Sequence, residues 1–166
     1  MLVYIIYNSD ENNNEYTLYE MATDRAAAEK KFKTEHLKDF LSYGGRCDID
    51  YLKMAETDLS DYDYAVMSGA DEDCYFSDED FRDFVRELDI GTSGNTIYEV
   101  SGEQAGEQLY QYWQDNQTKY PSIPEDIVGE DDSYFDFLDN LSNEDTAVYD
   151  KLVDDFIKSG KFKATV

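Results

Sequence analysis

The chain has 166 residues and a formal charge of −25, with 41% apolar and 15% aromatic content led by 15 tyrosines. That apolar content supports one domain, or two small ones, burying roughly 70% of the unfolded surface, and it excludes disorder throughout. The charge is far beyond the magnitude of about 2–8 common for a small soluble domain; it excludes direct binding to nucleic acid or to an anionic membrane surface.

Leu2–Tyr7 is a β-branched and aromatic run, and Glu15–Met21 alternates weakly. The polar cluster Ser9–Asn14 between them predicts a hairpin. From Thr23 to about Leu41 the composition turns helical, with Ala26, Ala27, Ala28, Phe32, Leu37, Phe40 and Leu41 as the inner stripe and Gly44-Gly45 as the stop. Asp48–Glu56 reads as a third strand and Asp63–Met67 as a fourth. The first 53 residues hold seven basic and ten acidic groups, the balance of an ordinary scaffold.

The stretch Met54–Asp89 departs from that balance, with thirteen carboxylates against two arginines. It also carries Tyr62, Tyr64, Tyr75, Phe76, Phe81 and Phe84, whereas acidic tails are poor in aromatics and disordered. Its charges are therefore expected at fixed positions, and Tyr62, Tyr64 and Tyr75 are expected to pack in the core or on the sheet. Ser77-x-x-Asp80 resembles a capping box, with Asp in place of the usual Glu or Gln. Phe81, Phe84, Val85 and Leu88 then form the inner face of a helix ending near Gly91. At 100° per residue Glu79 and Asp83 point away from that face. Asp80 and Glu87 lie along one flank, and Arg82 and Arg86 along the other.

Gly91–Asn95 reads as a turn and Thr96–Val100 as a strand. Ser101-x-x-Gln104 opens a helix with Ala105, Leu109, Tyr112 and Trp113 inward. Pro121 and Pro124 bracket a connector. Glu125–Asp155 is a second acidic block, twelve carboxylates against Lys151. Its helical core candidates are Tyr134, Phe135, Phe137, Leu138, Leu141, Val148, Leu152, Val153 and Phe156. Ser142 with Asp145 is expected to cap, Gly160 to end the last helix, and Lys161–Val166 to close as a strand. The fold expected is α+β: an N-terminal antiparallel hairpin and sheet with a packed helix, then a mostly helical acidic half, divided as 1–68 and 69–166.

No motif points to catalysis, and no enzyme is expected. His36 is the sole histidine, and Cys47 and Cys74 lie outside any C-x-x-C, so neither a zinc site nor a disulfide framework is expected. Gly91-Thr92-Ser93-Gly94 lacks the nucleophile-elbow spacing. EF-hand ligation fails from Asp71, where Tyr75 and Phe76 occupy the fifth and sixth positions. It also fails from Asp10, where Glu15 replaces the glycine and Met21 the bidentate acid. With 39 acids, any carboxylate pair can be picked for acid/base work, so pairing alone carries no signal. No cofactor is expected. The short apolar run at the N-terminus lacks a basic flank and reads as a strand, so a cytoplasmic location is expected.

The remaining feature is the acidic surface itself. Duplex DNA presents about one charge per 1.7 Å of axis, and its binders are basic grooves. Carboxylates fixed in rows would fill such a groove. The residues expected to do so are Asp58, Asp61, Asp63, Asp71, Glu72, Asp73, Glu79, Asp80, Asp83 and Glu87 from the first block, and Asp131, Asp132, Asp136 and Asp139 from the second. In charge and length the chain resembles the acidic DNA-mimic inhibitors that phages and mobile elements use against restriction and CRISPR enzymes. The resemblance implies a basic, nucleic-acid-binding partner such as a nuclease, inside a host bacterium. It carries over no functional residues. Two alternatives are an acidic interaction or regulatory module that binds a basic partner without imitating DNA, and a halophilic chain whose acids maintain hydration.

Overall fold

In a computed structural model, residues 1–10, 12–42, 50–91, 96–124, 127 and 134–165 are described, with backbone alone at 88–91, 134 and 135. The chain forms two compact units, each gathered from separated stretches. One comprises Met1–Phe32, Tyr51–Glu99 and Ala164–Val166; the other comprises Lys33–Asp50 and Val100–Lys163. The fold is α+β.

The first unit is built on a four-stranded antiparallel sheet. Its strands are β1 (Leu2–Asp10), β2 (Glu15–Ala22), β3 (Asp50–Asp58) and β4 (Thr96–Ser101), in the order β2-β1-β3-β4. β1 is continuously apolar from Leu2 to Tyr7, and from Val3 onward the side chains of that run are buried in both directions. Val3, Ile5 and Tyr7 pack with Ala55, Leu59, Met67, Phe81 and Val85. Tyr4 and Ile6, which alternate with them, are buried as well. The hairpin predicted from the sequence is present, with Asn14 in the left-handed region (φ 55) that asparagine tolerates.

The weak alternation of β2 has a specific cause. Ile6 stands opposite Glu20 and Tyr7 opposite Leu18, so Tyr19 is the extra residue of a β-bulge. The bulge lets Tyr16, Leu18 and Met21 all pack on the same core cluster despite their uneven spacing.

The helix expected over 23–41 is α1 (Arg25–Lys31), a π-helical turn (Phe32–His36) and α2 (Leu37–Leu41). Asp24 opens it by accepting the Ala26 and Ala27 N–H groups at 2.9 and 3.3 Å. Ala28, Phe32, Leu37, Phe40 and Leu41 are buried as expected, whereas Ala26 and Ala27 are exposed. Phe32 and Leu37 are five apart, one more than a face of an α-helix accommodates, and the π turn takes up the difference.

Asp63–Met67, expected as a strand, is instead helical: α3 spans Asp61–Met67. Ser60 is its N-cap, its hydroxyl accepting the Asp63 N–H at 3.0 Å. The polar cap and first-turn acids outweigh the β preference of Tyr64 and Val66. α4 spans Asp78–Gly91 and packs on β2.

The second unit is helical. α5 (Gly102–Asp115), α6 (Tyr134–Glu144) and α7 (Thr146–Ser159) pack against one another, and α2 packs on α5 and α7. Ser101 and Gln104 form the reciprocal capping box predicted for α5. Ala105, Leu109, Tyr112 and Trp113 are buried, and Trp113 stacks on Phe137 with centroids 4.5 Å apart. Tyr149, which the sequence reading left out of the core, is buried and its hydroxyl donates to the Leu41 carbonyl. Val148, expected inside, is only half-buried.

Ser142 does not cap α7. It lies within α6 and donates to the Asp139 carbonyl, while Asp145 caps α7 by accepting the Val148 N–H at 3.3 Å. Gly160 ends α7 in the left-handed conformation (φ 70). Among the described residues the expected closing strand is reduced to one antiparallel bridge between Thr165 and Glu99. Lys163 gives its backbone groups to the Gln108 side-chain amide instead of a ladder, at 2.9 and 2.8 Å. The Gly44-Gly45 stop, most of the Gly91–Asn95 turn and the side chains of Leu88, Tyr134 and Phe135 lie outside the described residues. Among the described residues, no helix is long and apolar enough to cross a membrane.

Candidate functional site

Two consecutive pieces of the first unit carry most of the acids singled out from the sequence: α4, and the stretch formed by α3 with residues 68–77. α4 is positioned by its inner face. Phe81 and Val85 are buried, and Phe81 meets Tyr7 edge-on at 5.6 Å and Phe76 at 6.5 Å. Its start is fixed by a reciprocal box: the Asp80 N–H donates to the Ser77 hydroxyl at 3.1 Å, and the Ser77 N–H donates to the Asp80 carboxylate at 3.0 Å. Aspartate, one methylene shorter than the usual glutamate, therefore closes the box here. The Ser77 N–H, and secondarily the Ser77 hydroxyl, hold the Asp80 carboxyl below its ordinary range.

On the outer side of α4, Glu79, Asp83 and Glu87 are exposed at four-residue intervals, a row rising about 6 Å per step along the helix. Arg82 pairs with Glu79 at 3.3 Å and lies 3.5 Å from Asp83. Arg86 donates to the Asn14 side chain across to the hairpin turn. Asn14, Glu15, Tyr16, Thr17, Asp78, Glu79 and Arg82 line an open polar groove of about 510 Å³. Among the described residues its lining holds no serine, cysteine or histidine.

The α3 stretch is arranged differently. Asp61 and Asp63 are exposed on the first turn of α3, and Glu72 and Asp73 are exposed on the turn that follows. That turn is held by hydrogen bonds from the Asp71 N–H to the Ala65 carbonyl, the Asp73 N–H to the Asp71 carboxylate and the Cys74 N–H to the Asp71 carbonyl. From Met54 to Phe81 the sequence has no lysine or arginine. Among the described residues, Asp61, Asp63, Glu72 and Asp73 make no ion pair. Asp58, at the end of β3, accepts from the Met1 amino group at 2.6 Å.

The tyrosines correct the sequence reading in part. Tyr64 is half-buried against the core cluster as expected, but Tyr62 and Tyr75 stand out of it, 66% and 88% exposed. The Tyr62 hydroxyl lies 4.0 Å from the Cys74 sulfur. It is held above the usual phenol range by that contact first, then by burial and by the charges of Asp71 and Asp63. Exposed aromatics leave no signature in a hydrophobicity pattern. The signal within reach was Ser60-x-x-Asp63, which fixes the helical phase and turns Tyr62 away from Met67.

The second acidic block belongs to the other unit. Asp136 is half-buried on the first turn of α6, and Asp139 is exposed and accepts from the Asn143 side chain at 3.3 Å. Asp131 and Asp132 lie outside the described residues. In the same unit Gln108, Gln111, Tyr112, Asp115, Phe156, Lys161 and Lys163 line a second cavity of about 370 Å³. The Tyr120 hydroxyl donates to Asp155 at 2.6 Å, and burial with this bond pushes the phenol well above its usual range. Among the described residues, no group of three or more His, Cys, Asp or Glu is placed to hold a metal ion. In comparisons with known proteins the chain matches no family model, no curated protein and no solved structure.

Proposed function

We propose that this chain is a non-enzymatic acidic inhibitor that imitates nucleic acid. It occupies the basic groove of a nucleic-acid-handling protein, such as a restriction or CRISPR nuclease, in the cytoplasm of a host bacterium. The observation that carries this reading is the mounting of exposed carboxylates on elements anchored from inside. Phe81 and Val85 fix α4, Met67 fixes α3, and Glu79, Asp83, Glu87, Asp61, Asp63, Glu72 and Asp73 remain outside. Charges held in place lose little freedom on binding, so their attraction to a basic groove is not spent on ordering them. Long-range attraction steers the encounter, and complementary potentials select basic grooves over other surfaces.

The test is a pull-down from bacterial lysate with the wild type and with a variant carrying Glu72→Gln, Asp73→Asn, Glu79→Gln, Asp83→Asn and Glu87→Gln. Asp80 is left intact because it closes the α4 box. The wild type is expected to retain a nucleic-acid-binding protein that the variant releases, that duplex DNA displaces, and whose affinity falls steeply with salt. Recovery of the same proteins by both chains would overturn the reading. Retention that duplex DNA does not disturb would instead favour a regulatory module binding a basic partner without imitating DNA.

A further inference from the structure

Tyr62 and Tyr75 are the two mostly exposed aromatic side chains among the described residues. The segments that carry them meet, since the Tyr62 hydroxyl lies 4.0 Å from the sulfur of Cys74, the residue before Tyr75. Phe76, the next residue, packs on the core cluster, so Tyr75 is presented outward by a chain that is anchored one residue later. Asp61 and Asp63 flank Tyr62 in the sequence and Glu72 and Asp73 precede Tyr75; all four are exposed, and no lysine or arginine occurs between Met54 and Phe81.

This combination restricts the occupant. A second copy of a chain carrying −25 is repelled, as is any anionic ligand. A purely apolar partner would strip water from carboxylates and give them nothing in return. A cation fits, and the ring faces discriminate between cations. A guanidinium is planar and weakly hydrated; it stacks on aromatic faces while its N–H fork donates to carboxylates. A lysine ammonium is compact and strongly hydrated, and it gains less from a flat ring.

Resting on the reading of the partner as basic, we propose that Tyr62 and Tyr75, with Asp61, Asp63, Glu72 and Asp73, form an arginine-accepting surface. The partner protein presents clustered guanidinium groups that lie on the two rings and donate to the flanking carboxylates.

Labelled octa-arginine and octa-lysine peptides, equal in length and charge, test this by fluorescence anisotropy at fixed ionic strength. The full chain is compared with Tyr62→Ala/Tyr75→Ala and Tyr62→Phe/Tyr75→Phe variants, with circular dichroism as a check on folding. The wild type is expected to bind the arginine peptide about three- to tenfold more tightly than the lysine peptide. The phenylalanine variant keeps that preference. The alanine variant loses it while binding the lysine peptide as before. Equal affinities in the wild type, or a preference that survives in the alanine variant, overturn the inference and leave the acidic-surface reading standing. Binding of neither peptide overturns both.

Discussion

Helix α4 and the stretch made of α3 with residues 68–77 are both dense in acids, yet they use them differently. In α4, Asp80 closes a capping box, Glu79 pairs with Arg82, and the inner face is nailed to the sheet by Phe81 and Val85. In the α3 stretch Asp71 accepts the Asp73 N–H and Asp61 and Asp63 sit at the helix N-terminus, but among the described residues none of the exposed acids is paired with a cation, and two exposed tyrosines accompany them. A count of carboxylates treats the two alike. Their structures separate acids already engaged in holding a helix from acids open to a partner.

The largest effect that would break this comparison comes from removing the shared anchor. Phe81→Ala is expected to cost about 3–5 kcal/mol, as for other buried aromatics, measured by urea unfolding followed by circular dichroism. It should abolish partner capture because the rows of charge lose their mounting. Tyr75→Ala should weaken binding with the unfolding midpoint unchanged. If Phe81→Ala leaves stability intact, α4 is not held in the way described.

Next come the caps. Ser77→Ala removes one side of the α4 box and is expected to cost about 1 kcal/mol by thermal unfolding. Ser60→Ala, which caps the seven-residue α3, is expected to cost less because fewer residues depend on it. A reversed order would mean that α3, not α4, organises this surface.

Charge neutralisation sharpens the contrast further. Glu72→Gln with Asp73→Asn should raise the unfolding midpoint, because mutual repulsion is relieved and no ion pair is lost. The gain should shrink as salt is added. Glu79→Gln should leave the midpoint nearly unchanged, since it gives up its contact with Arg82. Equal gains from both regions would erase the distinction.

The smallest effect is a pH dependence. Asp80 has its folded pKa depressed from 3.8 by the Ser77 hydrogen bonds. Its contribution is therefore present above the unfolded pKa and is lost as pH falls through the folded value. Compared between pH 5 and pH 2, wild type and Asp80→Asn should converge in stability on acidification. A constant difference would remove Asp80 from the cap.

Much of the fold was legible because local chemistry and periodicity agreed. Ser77-x-x-Asp80 and Ser101-x-x-Gln104 announced α4 and α5, and the apolar runs announced the hairpin. The failures share a motif. Ser60-x-x-Asp63 caps a helix that the β-prone Tyr64 and Val66 concealed, whereas Ser142 lies inside one helix while Asp145 alone starts the next. The pattern becomes a cap only where the preceding chain is extended, as at Ser60, and that depends on the sheet before it. The β2 bulge was hidden because it exists only as register against β1. For the candidate surface, the sequence located the acids but could not rank them: partners such as Met1 for Asp58 or Ser77 for Asp80 follow from folding. Tyr62 and Tyr75 are expected in the core or on the sheet because aromatic rings carry a large apolar area to bury.

The account rests on charges being locked to a packed interior, and backbone ¹⁵N relaxation over residues 58–87 measures this directly. Order parameters of about 0.85 through α3, the 68–77 turn and α4, matching those of β1, are predicted. Values below about 0.6 across the stretch would mean that the carboxylates trail in solution, and the rigid acidic decoy would be contradicted.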